Sequence, residues 1–160
     1  SSRVCLFMSD ALLQLDNQLC HRFYMVSNAF SRVYRPLLKE LDITYPQYVV
    51  MMALWEQDHI TIKQLLERPR IDGGAMRLML KKLVQKGFVH IDAHQSDKRA
   101  RIVVLTEFGQ NAKRAAKHIP EQMLCHNQSL SEAELKTLMG LIDKLHGDLN
   151  HALCQLEEPQ

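Results

Sequence analysis

Two long apolar stripes, one near each end, constrain this chain more than any other feature. In residues 11–37, Leu12, Leu15, Leu19, Phe23, Val26, Phe30, Val33 and Leu37 recur at steps of three and four, the spacing of one face of an α-helix. Toward the other end, Leu135, Leu138, Ile142, Leu145, Leu149, Leu153 and Leu156 repeat the pattern behind a Ser131/Glu134 capping box, a helix-start signature. The segment between them is built of short elements whose core is too small to cover both stripes. The two long helices are therefore expected to bury their stripes against the same helices of a second copy.

The middle segment reads as three short helices and a hairpin. Thr44 and Gln47 form a T-x-x-Q capping box, and Thr61 and Gln64 form another, with Pro69 closing the helix that follows,. Asp72 is a good N-cap for the next helix, and Gly87 stands where a helix C-terminus turns left-handed,. Residues 88–92 and 101–106 are rich in β-formers and flank a polar tip at 94–99,. A further helix is expected over residues 107–119, ended by Pro120. Helix–turn–helix followed by a hairpin is the winged-helix arrangement. The expected fold is mainly α with a small β-hairpin wing, a single domain over residues 1–160. Residues 11–40 and 107–157 would be its dimerisation helices, and residues 44–106 its DNA-binding lobe.

Composition narrows the function. Apolar residues make up 46% and charged residues 24% of the 160-residue chain, as in ordinary globular domains. No apolar run approaches the roughly 18 residues that span a bilayer, so no membrane partner is expected. The N-terminus shows no basic region followed by a long apolar stretch, so no secretory leader is expected. Net charge is only +2, but residues 68–101 hold nine Lys or Arg against three Asp. Such a local basic patch suits a polyanion. Arg77, Lys81 and Lys82 are spaced to face outward from the helix after Asp72, while Met76, Leu80 and Leu83 face in. That helix suits a major groove, its cations mostly holding phosphates. Lys98, Arg99 and Arg101 sit on the hairpin, where Arg99 at the tip suits a narrow minor groove.

Cys5, Cys20, Cys125 and Cys154 show no C-x-x-C spacing, which argues against a zinc ribbon. They read as cytosolic thiols, so a cytoplasmic protein is expected. His118, Cys125 and His126 form the nearest metal-like cluster but lack fixed ligand spacing, so no metal site is expected. At 100° per residue, Tyr24 and Tyr34 lie about 40° to either side of Cys20 on the first helix. Tyr24 is one turn away. Tyr34 is roughly 21 Å along the axis at 1.5 Å per residue, beyond reach of Cys20 of its own chain but within reach of a crossing partner's. Two phenol O–H donors around one sulfur favour the thiolate, because hydrogen bonds to the charged form stabilise it. The thiolate is the form that attacks peroxide. Plain packing remains the alternative for a cysteine among tyrosines.

Asp97-Lys98-Arg99, then Val103-Val104-Leu105-Thr106 and Gly109, resemble the wing signature of MarR-type transcription regulators. Leu15-Asp16, Gln18-Leu19-Cys20, Tyr34, Pro36-Leu37-Leu38 and Thr44-Tyr45-Pro46-Gln47-Tyr48 resemble the OhrR-type organic hydroperoxide sensors within that group. The resemblance implies a homodimeric repressor of pseudo-palindromic operator DNA, released when organic hydroperoxide oxidises Cys20. It implies Tyr45 as a further phenol at that site. It also implies Cys125, 105 residues after Cys20, as a resolving thiol of the other subunit, placed in a mobile link. No enzymatic activity, catalytic residue or cofactor is implied. Two departures stand out. Asp72-Gly73-Gly74-Ala75-Met76-Arg77-Leu78 replaces the Asp-Ser-Gly-Thr-Leu-Thr-Pro common in the group, and His21 replaces Phe after the cysteine. The competing readings are a non-redox regulator released by a small aromatic ligand and a thiol peroxidase, the latter leaving the basic hairpin unexplained.

Overall fold

The computed structural model describes residues 10–69, 71, 73–93, 96 and 99–157. The chain forms two compact units, Ser1–Ile119 and Pro120–Gln160. Cys5, Asp72, Asp97 and Lys98 lie outside the described residues.

The first unit opens with two 3-10 turns, Asp10–Leu13 and Leu15–Asn17, ahead of helix α1, Leu19–Lys39. The stripe that starts at residue 11 thus runs through turns that are not α-helical. The cause is local: Gln14 and Gln18 are extended, with ψ of 134° and 111°, and the Gln18 side-chain amide donates to the Leu12 carbonyl. Pro36 lies inside α1. It removes a hydrogen bond only to Arg32, one turn before the end, and the helix continues to Lys39.

Helix α2, Tyr45–Glu56, starts at a complete capping box: Gln47 N donates to Thr44 Oγ1, and Thr44 N donates to Gln47 Oε1 at 3.1 Å. A two-residue strand β1, Ile60–Thr61, leads into α3, Ile62–Glu67, whose Thr61/Gln64 box has both bonds, at 3.1 and 3.0 Å. Helix α4 covers Gly73–Gln85. Gly87, with φ of 82°, turns the chain out of it, while Gly87 N and Phe88 N donate to the Val84 and Leu83 carbonyls. Glycine takes this left-handed φ without the cost a Cβ brings. Strands β2, Val89–Ala93, and β3, Arg101–Leu105, form the expected hairpin. Its third partner, β1, was not apparent in the sequence. The order is β1-β3-β2, antiparallel throughout, with Ile60 opposite Val103 and Val89 opposite Leu105. Val50, Met51 and Leu54 of α2, Met76, Leu80 and Leu83 of α4, and Val89, Val103 and Leu105 of the sheet make one buried cluster.

The helix expected over 107–119 is two helices, α5, Glu107–Ala116, and α6, His118–Cys125. Pro120 does not end a helix. It lies in the first turn of α6, where its missing N–H has no intrahelical acceptor to lose. Cys125 is therefore the last residue of a helix and not part of a mobile link.

The second unit is dominated by α7, Glu132–Glu157, 26 residues long and without a buried residue. Its Ser131/Glu134 box is formed, with Glu134 N donating to Ser131 Oγ at 3.1 Å. The stripe residues Leu138, Ile142, Leu149 and Leu153 are all exposed. So are Leu19, Phe23, Val26 and Phe30 of α1. Among the described residues, no helix is long and apolar enough to cross a membrane.

Candidate functional site

The wing is fixed to the lobe through Thr106 and Gly109. Thr106 caps α5 by accepting from Gly109 N at 3.0 Å, and its hydroxyl lies 2.5 Å from the Gly87 carbonyl. Thr106 N donates to the Phe88 carbonyl at 3.0 Å, closing the end of the hairpin. Trp55 Nε1 donates to the Gly109 carbonyl at 2.9 Å. Asp58 accepts from Leu105 N at 2.9 Å and from His59 N at 2.8 Å. The Leu-Thr-x-x-Gly segment is thus a joint: the threonine ties β2, β3 and α5 together, and the glycine lets α5 approach the chain at Phe88.

On this frame, α4 presents the expected two faces. Met76, Leu80 and Leu83 are buried and Arg77, Lys81 and Lys82 are exposed. Arg77 and Lys81 border a groove of about 360 Å³ floored by Ile62, Leu80, Val84 and Ile91. Arg99 and Arg101 are exposed on the wing. Lys98 lies outside the described residues. Arg68, counted in the basic segment, is paired with Glu56, so part of that positive charge is neutralised at the surface. Cations thus stand exposed both on α4 and on the wing, and such groups are the ones that contact phosphates in nucleic-acid complexes.

Within one chain, Cys20 and Tyr24 lie near the start of α1 and Tyr34 near its end. Cys20 is exposed in the first turn of α1. The Tyr24 ring stacks on His21, with centroids 6.4 Å apart and planes 24° apart, so the histidine that replaces Phe makes a definite contact. Tyr34, farther along α1, packs instead against α2: its ring centroid is 4.9 Å from Tyr45 and 6.1 Å from Tyr48. Tyr48 was missed as a site residue because it lies in the uniformly apolar run of α2. It is buried and packs edge-on against Trp55. Burial, and secondarily the neighbouring Tyr45, raise the Tyr34 pKa above its usual 10.0. Burial, then Tyr34 and Tyr45, do the same for Tyr48. Both phenols therefore stay protonated, hence O–H donors, throughout the neutral range. Cys125 and Cys154 are exposed. No group of three metal-ligating side chains occurs among the described residues.

The MarR family model matches residues 43–100, which span the lobe from α2 to the wing tip. The organic hydroperoxide resistance transcriptional regulator of Bacillus subtilis (strain 168) is 36% identical over 137 residues, 84% of this chain and 93% of the relative. The structure of reduced AbfR bound to DNA superposes with a TM-score of 0.76 at 31% identity, over 91% of this chain and 99% of the other. Disulfide-formed AbfR superposes with a TM-score of 0.64 at 30% identity, over 90% and 96%. With the winged-helix lobe, the exposed cations and the Thr106–Gly109 joint in place, this chain belongs to the MarR family and is a DNA-binding transcriptional regulator of the MarR/OhrR type.

Proposed function

We propose that this regulator is a thiol-based repressor that leaves its operator when organic hydroperoxide oxidises Cys20. The observation that carries the reading is the split phenol set: Cys20 and Tyr24 lie at one end of α1, while Tyr34, Tyr45 and Tyr48 cluster at the other. The exposed apolar stripes of α1 and α7 call for a partner, and a homodimer that buries them brings one protomer's Cys20 to the other's tyrosines. Residues 11–40 and 107–157 then serve dimerisation, and residues 44–106 bind DNA. Arg77, Lys81 and Lys82 approach a major groove, with Lys98, Arg99 and Arg101 on the adjacent backbone and minor groove. Such a regulator works in the cytoplasm, where its DNA is and where its thiols stay reduced.

In the chemistry, the Cys20 thiolate attacks one peroxide oxygen and the O–O bond breaks. The other oxygen leaves as alkoxide, takes a proton and departs as an alcohol, with sulfur oxidised to sulfenic acid. Tyrosine hydroxyls around the sulfur stabilise the thiolate before attack. Cys125 of the partner subunit then displaces water from the sulfenic acid and forms a disulfide. Closing that bond requires Cα atoms within about 7 Å. Because Cys125 ends a helix, the closure moves α6 as a whole and changes the spacing of the two lobes. Two recognition helices must stay about one duplex turn apart to occupy successive major grooves. The relative named for organic hydroperoxide resistance, and the existence of a reduced AbfR bound to DNA and of a separate disulfide form of AbfR, support this reading.

The test is operator binding before and after one equivalent of organic hydroperoxide, run with a non-reducing gel. Wild type should lose DNA and run as a covalent dimer, and Cys20→Ser should do neither. Cys125→Ser should react once without forming the dimer band. Retention of DNA by fully oxidised wild type would overturn the reading. A second reading is release by a small aromatic acid, favoured by an open cavity of about 400 Å³ bordered by Arg35, Lys39 and Tyr45. It predicts release from the Cys20→Ser protein by the ligand alone.

A further inference from the structure

Lys86 is the first residue after α4, and its ammonium reaches across to the start of α2. Its Nζ donates to the Asp42 carbonyl in the α1–α2 turn and to Gln47 Oε1 at 3.2 Å. Gln47 is buried, and the same Oε1 accepts from Thr44 N at 3.1 Å in the α2 capping box. Asp42 holds a left-handed φ of 54°, a conformation that costs energy for a residue with a side chain, so its carbonyl is aimed by a turn with one well-defined geometry. One charged group thus joins three places: the turn between α1 and α2, the first turn of α2 and the end of the helix that carries Arg77, Lys81 and Lys82.

The tyrosines stand on the same two helices. Tyr45 is the first residue of α2, two positions before Gln47, and Tyr34 and Tyr48 touch it from α1 and α2. A push on Tyr45 is a push on the first turn of α2. Through Gln47 and Lys86 that turn is bonded to the end of α4. The Lys86 bonds add a charge-assisted hydrogen bond to the apolar packing of α4 against α2, and apolar packing slides more readily than such a bond breaks. The cavity beside Lys86, bordered by Arg35 and Lys39, gives the ammonium an open side into which it can swing when the turn moves.

We propose that Lys86 is a positioning residue that carries a displacement of the Tyr34/Tyr45/Tyr48 cluster to the DNA-reading helix. It is not itself a DNA contact. The physical content is a coupling between two places in the lobe, and coupling is measured by a double-mutant cycle. The inference rests on the redox reading only for what drives the tyrosines in nature.

The experiment measures operator affinity of the reduced protein for wild type, Tyr45→Ala, Lys86→Met and the double variant. Tyr45→Ala should weaken binding about tenfold in the wild-type background and less than about twofold beside Lys86→Met. Equal losses in both backgrounds overturn the proposal. Lys86→Met should leave the dependence of affinity on salt parallel to wild type, whereas a slope shallower by about one phosphate contact makes Lys86 a DNA ligand and also overturns it. Lys86→Arg, which keeps the charge and several donors, should restore most of the coupling. If Lys86→Met fails to fold, Lys86→Gln is put through the same cycle. A second arm compares oxidised with reduced affinity: the drop should shrink about tenfold in Lys86→Met while alkylation shows Cys20 oxidised to the same extent. A wild type that keeps its operator after oxidation refutes the redox reading and leaves the cycle to decide the role of Lys86.

Discussion

Gly109 lies against the backbone of Phe88 so closely that a Cβ on it would stand 2.1 Å from the Phe88 carbonyl oxygen. That oxygen already accepts from Thr106 N and cannot retreat without opening the hairpin. Gly109→Ala should therefore cost at least the roughly 1–3 kcal/mol typical of overpacking. At about 2–4 °C per kcal/mol for a chain of this size, calorimetry should find the midpoint several degrees lower. A midpoint within one degree of wild type would mean that α5 shifts freely away from the wing.

Arg99 and Arg77 should separate in their effects on DNA. Arg99→Ala on the wing should weaken binding to all duplexes and lower the salt slope by about one contact. Arg77→Ala on α4, if its guanidinium reads a base edge, should cost roughly 1–3 kcal/mol on operator and less on random sequence. Titrations on both duplexes at several salt concentrations decide this. Identical losses for Arg77→Ala on the two would place it on phosphate.

The apolar faces of α1 and α7 predict a dimer at micromolar concentration. Leu149 is 54% exposed in the single chain, yet lies on a stripe that continues for most of α7. Leu149→Glu should raise the dissociation constant by orders of magnitude, and light scattering should move from twice the chain mass toward the chain mass. A monomeric wild type would remove the geometric basis for pairing Cys20 with a partner's tyrosines.

Tyr34 and Tyr48 predict a pH limit. Their pKa values are raised in the fold, chiefly by burial, so the native state holds its phenolic protons more tightly than the unfolded chain. Stability from this source is fully present below the unfolded value near 10 and is lost as pH rises through the folded values. Denaturant titrations should show stability falling above about pH 10, less steeply in Tyr34→Phe. Tyrosinate absorbance should show part of the phenols ionising later than free tyrosine. A titration in which every phenol follows free tyrosine would contradict the burial of Tyr48 and the partial burial of Tyr34.

Features written by neighbouring residues were readable in the chain, and features written by distant ones were not. The boxes at Thr44, Thr61 and Ser131 formed because each is closed by a residue three positions on. The buried face of α4 and the left-handed Gly87 follow from local periodicity and backbone freedom. Strand β1 escaped notice because two residues carry no alternation, and its pairing with Val103 spans more than forty positions. The early start assigned to α1 and the stop assigned to Pro120 share one cause. Apolar spacing and proline are each compatible with more than one backbone: the extended Gln18 delays α1, and Pro120 fits the first turn of α6 as well as it would a helix end,. At the candidate site, Cys20 and its neighbouring phenols stood out by helical angle, but the packing of Tyr34 on Tyr48 and the reach of Lys86 to Gln47 depend on how α1, α2 and α4 meet.

Trp55 is the one tryptophan of the chain, and its indole N–H is bonded to the Gly109 carbonyl beside the edge of Tyr48. Intrinsic fluorescence excited at the indole band is consequently a private signal from the joint between α2 and α5. Loosening of that joint exposes more of the indole to water and shifts its emission to the red. The protein thus carries an optical gauge placed where the tyrosine cluster meets the frame of the wing.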